Sequence, residues 1–142
     1  MTGYLLDTNV LSEFKRRGEP DPLVRGWLRA TDPDALWVSV LSVGEIRKGI
    51  ERLAAGKRRT ELEQWLEHDL DQWFEERVLP VTKAIAERWG ILSARGLDKG
   101  TPVTSIDGLI AATALEHDLT LVTRNVKDFT VSGVPILNPW QA

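Results

Sequence analysis

Cysteine is absent from the 142 residues. Its absence excludes disulfides and any zinc site built on thiolates. Histidine occurs only twice, as His68 and His117. His68 falls in mid-helix by pattern and His117 near a helix end beside Asp118, so both read as structural or surface residues. A metal-free nuclease working by paired imidazoles would need both. The chain carries no apolar run long enough to span a bilayer, and no basic-then-apolar segment at its start. A cytoplasmic protein is therefore expected. No Gly-rich phosphate loop and no Gly-x-Ser-x-Gly elbow is present. No repeat, low-complexity tract or linker divides the chain, so one domain over residues 1–142 is expected.

What is there is ordinary in bulk. Apolar residues make up 42% and charged residues 27%, a balance that indicates a packed globular core. The formal net charge of -3 argues against nucleic-acid binding by bulk charge alone. The charges are clustered, however, with Lys15, Arg16 and Arg17 in one group and Lys57, Arg58 and Arg59 in another. Two readings stand: solvated loops, or local phosphate contacts beside an acidic centre that a cation neutralises. The six tryptophans mostly fall at helical spacing with other apolar residues. They read as core or interface rather than as platforms for base stacking.

Strand and helix signals alternate. Gly3 to Leu6 reads as a short buried strand, and Val10 to Lys15 as a short helix. Asp21-Pro22 starts a helix running to about Ala30, with Asp as cap and Pro in the first turn. Leu36 to Ser39 is a second strand. Val40 to Ala54 carries apolar residues at helical spacing. Leu62, Trp65, Leu66, Leu70, Trp73 and Phe74 mark a strongly amphipathic helix. Its apolar face is wide enough to expect cover from a second chain over Trp73 and Phe74. Val78 to Val81 is a short strand, and Thr82 caps a helix to about Arg95. Thr104 caps another helix, holding Ile106 to Leu115. Leu119 to Thr123 and Val134 to Leu137 are the last strands. Such alternation predicts an α/β fold with a central, mostly parallel β-sheet flanked by α-helices, its sites at the carboxyl ends of strands.

Three acids stand at such places. Asp7 directly follows the first strand. Glu45 lies in the helix after the second. Asp107 lies in the first turn of the helix capped by Thr104. Each has a bland reading. Asp7 could only cap the next helix, Glu45 could pair with Lys48, and Asp107 could complete a near capping box. If the sheet brings the three together, their charges raise one another's pKa. A divalent cation reverses that effect. All-oxygen ligands select Mg²⁺, with Mn²⁺ as the alternative, and such an ion suits phosphoryl transfer.

Four segments then carry a resemblance. They are Leu5-Leu6-Asp7-Thr8-Asn9-Val10-Leu11-Ser12, Ser39-Val40-Leu41-Ser42-Val43-Gly44-Glu45-Ile46, Ile106-Asp107-Gly108-Leu109-Ile110-Ala111-Ala112-Thr113-Ala114, and Leu121-Val122-Thr123-Arg124-Asn125-Val126-Lys127-Asp128-Phe129. In order and spacing they resemble the motifs of PIN-domain ribonucleases, the family of VapC-type toxins. The closing Asn138-Pro139-Trp140 resembles its FitB-like branch. The resemblance implies metal ligands at Asp7, Glu45 and Asp107, a hydroxyl near the metal at Thr8, and a loop-holding amide at Asn9. Many members carry Asp where this chain has Asn125. Asp128 is therefore assigned as a fourth catalytic acid and Asn125 as a neutral supporting residue. The resemblance implies a Mg²⁺-dependent endoribonuclease leaving a 5′-phosphate and a 3′-hydroxyl. It also implies the toxin role in a type II toxin–antitoxin pair, with a toxin homodimer and a DNA-binding antitoxin as partners. The alternative is a PIN-like module that binds nucleic acid or a partner without catalysis. An aspartyl-phosphate phosphatase would need a second acid at position 9, where this chain has Asn.

Overall fold

The computed structural model describes residues 3–15 and 18–141. Arg16 and Arg17 of the first basic cluster lie outside the described residues. Strand β1 (Gly3–Leu6) runs through the middle of the sheet. On one side of it lie β2 (Leu36–Ser39) and then β3 (Val78–Leu79). On the other lie β4 (Leu119–Val122) and then β5 (Ile136–Leu137). The order is β3-β2-β1-β4-β5, and every neighbouring pair is parallel. The sheet grows outward from β1 in one direction, then restarts at β4 on the opposite side. The crevice between β1 and β4 is thus the switch point where parallel sheets place their sites.

Successive strand residues point to opposite faces, and the core divides accordingly. Leu6 faces a cluster with Val10, Leu11, Val38, Ile50 and Leu70. Leu5 faces another with Ile110, Ala111, Ala114, Leu121 and Phe129. Helices cover both faces. On the Leu6 side are α1 (Thr8–Glu13), α3 (Val40–Glu51), α4 (Lys57–Gln64) and α5 (Leu70–Phe74), with α2 (Pro22–Ala30) packing Trp27 onto Tyr4. On the Leu5 side, α6 (Lys83–Asp98) packs against α7 (Ser105–Glu116), and the short α8 (Val126–Phe129) follows β4.

Caps set the helix starts. Asp21 accepts from the N–H groups of Leu23 and Val24, with Pro22 in the first turn. Thr82 accepts from Ile85, and Thr104 from Asp107. Gly108 lets α7 approach α6, since a Cβ there would stand 2.8 Å from Trp89 Cδ1. Gly100 ends the α6 connection at φ 71, in the left-handed region that glycine enters without cost.

Several elements differ from the sequence expectation. Helix α1 starts at Thr8, because the Asp7 side chain itself caps it by accepting from the Thr8 N–H. Strand β3 stops at Leu79 because Pro80 has no N–H for the ladder. Strand β5 starts at Ile136, after Pro135. The amphipathic helix is interrupted by a π-turn over Trp65–Asp69, closed by the Leu70 N–H bonding back five residues to the Trp65 carbonyl. Phe74 is 4% exposed and sits in the chain's own core, whereas Trp73 is 50% exposed. Cover by a second chain is thus not needed for Phe74. Glu45 takes the hydroxyl of Thr8 rather than an ion pair with Lys48. In the second basic cluster, Arg58 donates to the Lys15 carbonyl and Arg59 pairs with Glu51 and Glu63. Those two arginines tie the surface of the fold together. Among the described residues, no helix is long and apolar enough to cross a membrane.

Candidate active site

The parallel register sets Leu6 beside Val122, so the residues that follow, Asp7 and Thr123, emerge together at the carboxyl edge. The Asp7 N–H continues the ladder by donating to the Val122 carbonyl at 2.9 Å. Its side chain is 5% exposed. Thr123, fully buried, donates its hydroxyl to Asp7 Oδ2 at 2.8 Å. The other carboxylate oxygen accepts from the Thr8 N–H at 2.8 Å. Asn9 Nδ2 reaches Asp7 Oδ2 at 3.3 Å and Thr123 Oγ1 at 3.4 Å. Asn9 Oδ1 accepts from the Arg124 N–H at 3.3 Å. A small polar net thus locks the start of α1 to the end of β4.

Glu45 and Asp107 arrive differently. Glu45 stands on α3, half-buried, and accepts the Thr8 hydroxyl at 2.6 Å. Asp107 stands in the first turn of α7, half-buried, with its N–H on Thr104 Oγ1 at 3.3 Å. Asp128 is exposed on α8. Asn125 is exposed, and its backbone N–H donates to Thr123 Oγ1 at 3.0 Å. A groove runs off from Thr8 and Glu45 along Ser12, Ile50, Arg58 and Trp65. Both histidines are exposed.

The charges act on one another. Burial pushes the Asp7 carboxyl above its ordinary pKa, and the charges of Asp107 and Glu45 push it further. The Thr123 hydroxyl and the Thr8 N–H pull the other way without cancelling the rise. Asp107 is likewise raised, first by burial and then by Asp128 and Glu45, against a hydrogen bond with Thr104 that lowers it. Among the described residues, no three acidic or imidazole side chains stand close enough to hold one ion as they are placed. The chemistry of the donor set nevertheless fits a hard divalent cation. Its donors are carboxylates and a hydroxyl, all oxygen, and the mutual repulsion is what a cation relieves.

Thr123 was not singled out by sequence reasoning. A hydroxyl directly after an apolar strand, as Asp directly follows β1, is the signal that could have found it. Its contact with Asp7 depends on which strands are neighbours.

A parallel sheet with acids gathered about its switch point defines a class of α/β proteins that work at the carboxyl edge. Residues 4–130 match the PIN domain, and the chain belongs to that family. VapC ribonuclease Y4jK of Sinorhizobium fredii is 36% identical over 137 residues, 96% of this chain and 97% of that protein. Toxin FitB of Neisseria gonorrhoeae is 35% identical over 136 residues, again 96% and 97% of the two chains. The solved structure of FitAB bound to an IR36 DNA fragment superposes with a TM-score of 0.91 at 32% identity, covering 98% of this chain and 96% of that one.

Proposed function

We propose that this chain is a metal-dependent endoribonuclease, acting as the toxin of a type II toxin–antitoxin pair. The observation that carries the reading is Asp7: buried at the switch point, fixed on both oxygens, and raised first by that burial and then by the charges of Asp107 and Glu45. Names and likeness support it, since similar proteins are called a VapC ribonuclease and a toxin.

Asp7, Glu45 and Asp107 would hold Mg²⁺ or Mn²⁺. Such an ion supplies charge neutralisation at the phosphate and a more acidic water when bound. The chain's own residues do the rest. Thr123 and the Thr8 N–H fix the orientation of Asp7. Thr8 steadies Glu45 by its hydroxyl. Asn9 ties Asp7 and Thr123 to the loop after β4. Thr104 anchors Asp107 in the first turn of α7 by accepting its backbone N–H. Asp128, exposed on α8, adds negative charge that acts on Asp107. Water adds to phosphorus, the bond to the 3′-oxygen breaks, and the products carry a 5′-phosphate and a 3′-hydroxyl.

The antitoxin partner, the toxin homodimer and cytoplasmic residence belong to the same proposal. The DNA-bound FitAB structure supports a two-component complex on DNA. The competing reading, a PIN fold that binds without cutting, draws on Asn125 and on carboxylates that are not drawn together. Purified chain freed of any partner should cleave RNA with Mg²⁺ or Mn²⁺ and stop with EDTA. Asp107→Asn, purified in parallel, controls for contaminating nuclease. Undiminished cleavage in EDTA by the wild type alone, or no cleavage with either metal, overturns the reading.

A further inference from the structure

Arginines in this fold divide by what holds them. Arg47, Arg58, Arg59, Arg77 and Arg88 all donate to carboxylates or carbonyls of the chain itself. Arg124 does not. Among the described residues its guanidinium makes no ion pair and donates no hydrogen bond. It lies instead over the Trp140 ring, 5.4 Å from the centroid. Trp140 is anchored at its main chain, whose N–H donates to Asn138 Oδ1 at 3.0 Å, and its half-buried ring packs against the Leu6 side of the core. Stacking restrains a guanidinium and leaves its in-plane donors free for a ligand.

The backbone of Arg124 is registered to the candidate active site. It directly follows Thr123, which bonds Asp7, and its N–H donates to Asn9 Oδ1. A hollow opens here, lined by Arg124, Asn125, Lys127, Asp128 and Asn138. It borders the acid cluster through Asp128, whose charge acts on Asp107.

We infer that Arg124, braced by Trp140 and aided by Lys127, holds a phosphate of the RNA strand next to the one being cut. The inference rests on the nuclease reading above. A polyanion drawn toward a cluster of carboxylates needs cations beside that cluster, and Arg offers paired donors matched to phosphate oxygens. A protein arm that complements the acids would be basic, and Arg124 and Lys127 would repel it at this side. RNA is therefore the occupant that the charges favour. Trp140 is a positioning residue. It acts through Arg124, pre-ordering a side chain that would otherwise lose rotamer freedom on binding.

Anisotropy of a short fluorescein-labelled single-stranded RNA of mixed sequence tests this, in EDTA so that the strand stays whole. Arg124→Ala should weaken binding about tenfold, as expected for one charged hydrogen-bonded contact. It should also flatten the slope of log K against log salt by about 0.7. Trp140→Ala should weaken binding severalfold alone and add nothing once Arg124 is Ala, while Trp140→Phe keeps most of the affinity. With Mg²⁺, Arg124→Ala should raise KM more than it lowers kcat. Melting temperatures of the variants separate loss of fold from loss of contact. If the wild type cuts RNA and Arg124→Ala binds as tightly, this inference alone falls. If the wild type binds RNA with this dependence on Arg124 but never cuts, the nuclease reading alone falls. No RNA binding with or without Mg²⁺, and no cleavage, overturns both. Loss of antitoxin binding by Arg124→Ala, with RNA binding unchanged, marks the surface as a protein dock and overturns the inference.

Discussion

The two sides of the acidic crevice are built by different means. On the sheet side, Asp7 belongs to the framework: its N–H extends the ladder, one oxygen caps α1, and the other takes the Thr123 hydroxyl. On the helix side, Glu45 and Asp107 hang from α3 and α7, half-buried. The cap under Asp107 uses its backbone N–H on Thr104. The sheet side is set when the fold forms. On the helix side, Glu45 takes one side-chain hydrogen bond, from Thr8, and its backbone stays in the ladder of α3. One carboxylate is a structural part with a charge, and the others are charges on a structural part.

The largest expected effect would break this contrast. Asp7→Asn, Glu45→Gln and Asp107→Asn should each lower cleavage by more than about 100-fold, beyond what disturbing a supporting residue costs. Truncation to Ala should separate the two sides in stability. Asp7→Ala removes a cap and strands a buried hydroxyl donor, a loss of about 1–3 kcal/mol. Asp107→Ala keeps the Thr104 cap and should cost little. Denaturant unfolding reads both. Equal stability losses would mean that the sides are alike.

Next comes the response to cations and pH. Asp7 and Asp107 are both raised above the ordinary carboxyl value by burial and by like charges. Their unfolded forms lose protons first as pH rises. Stability from these groups is therefore greatest at low pH and is lost as pH rises from the ordinary carboxyl range through the raised folded values. Mg²⁺ should restore it. The expected outcome is a melting temperature several degrees higher with Mg²⁺ at neutral pH. The gain should shrink on acidification and be largely absent in Asp7→Asn. Thermal melts across pH check this, and a gain that persists in Asp7→Asn would place the ion elsewhere.

Thr123→Val sharpens the comparison on the sheet side. Its hydroxyl lowers the Asp7 pKa, so its removal raises that value further. The acid limb of the pH–rate profile should move to higher pH, with roughly tenfold loss at mildly acidic pH and convergence with the wild type on the alkaline side. The smallest effect belongs to Asp128→Asn. It should cost less than about tenfold, below the range for supporting residues in contact with a site. Because Asp128 raises Asp107, the same change should move the acid limb slightly downward.

Local chemistry was legible in the sequence wherever it was decided locally. Asp21-Pro22, Thr82 and Thr104 mark helix starts, since each cap bonds an N–H within three residues. The short apolar runs at Gly3–Leu6, Leu36–Ser39 and Leu119 to Thr123 read as strands, and strands form there, the last ending one residue earlier at Val122. What depends on neighbours in space was not legible. Thr123 meets Asp7 only through the β1–β4 register. Thr8 meets Glu45 only because α1 packs on α3. Periodicity put Trp73 and Phe74 on one apolar face, but the π-turn over Trp65–Asp69 widens the helix before them. Phe74 turns into the core and Trp73 stays out.

The seam between β1 and β4 also has a place in time. Asp7 and the threonine that orients it lie 116 residues apart in the chain. At about 5–20 residues per second of synthesis, the second partner trails the first by roughly 6–23 s. Throughout that interval the nascent chain carries the β1 strand with its β4 side bare and Asp7 without its hydroxyl donor. Such distant pairing is slow to form. A half-made copy on the ribosome, surrounded by RNA, therefore presents an unfinished crevice.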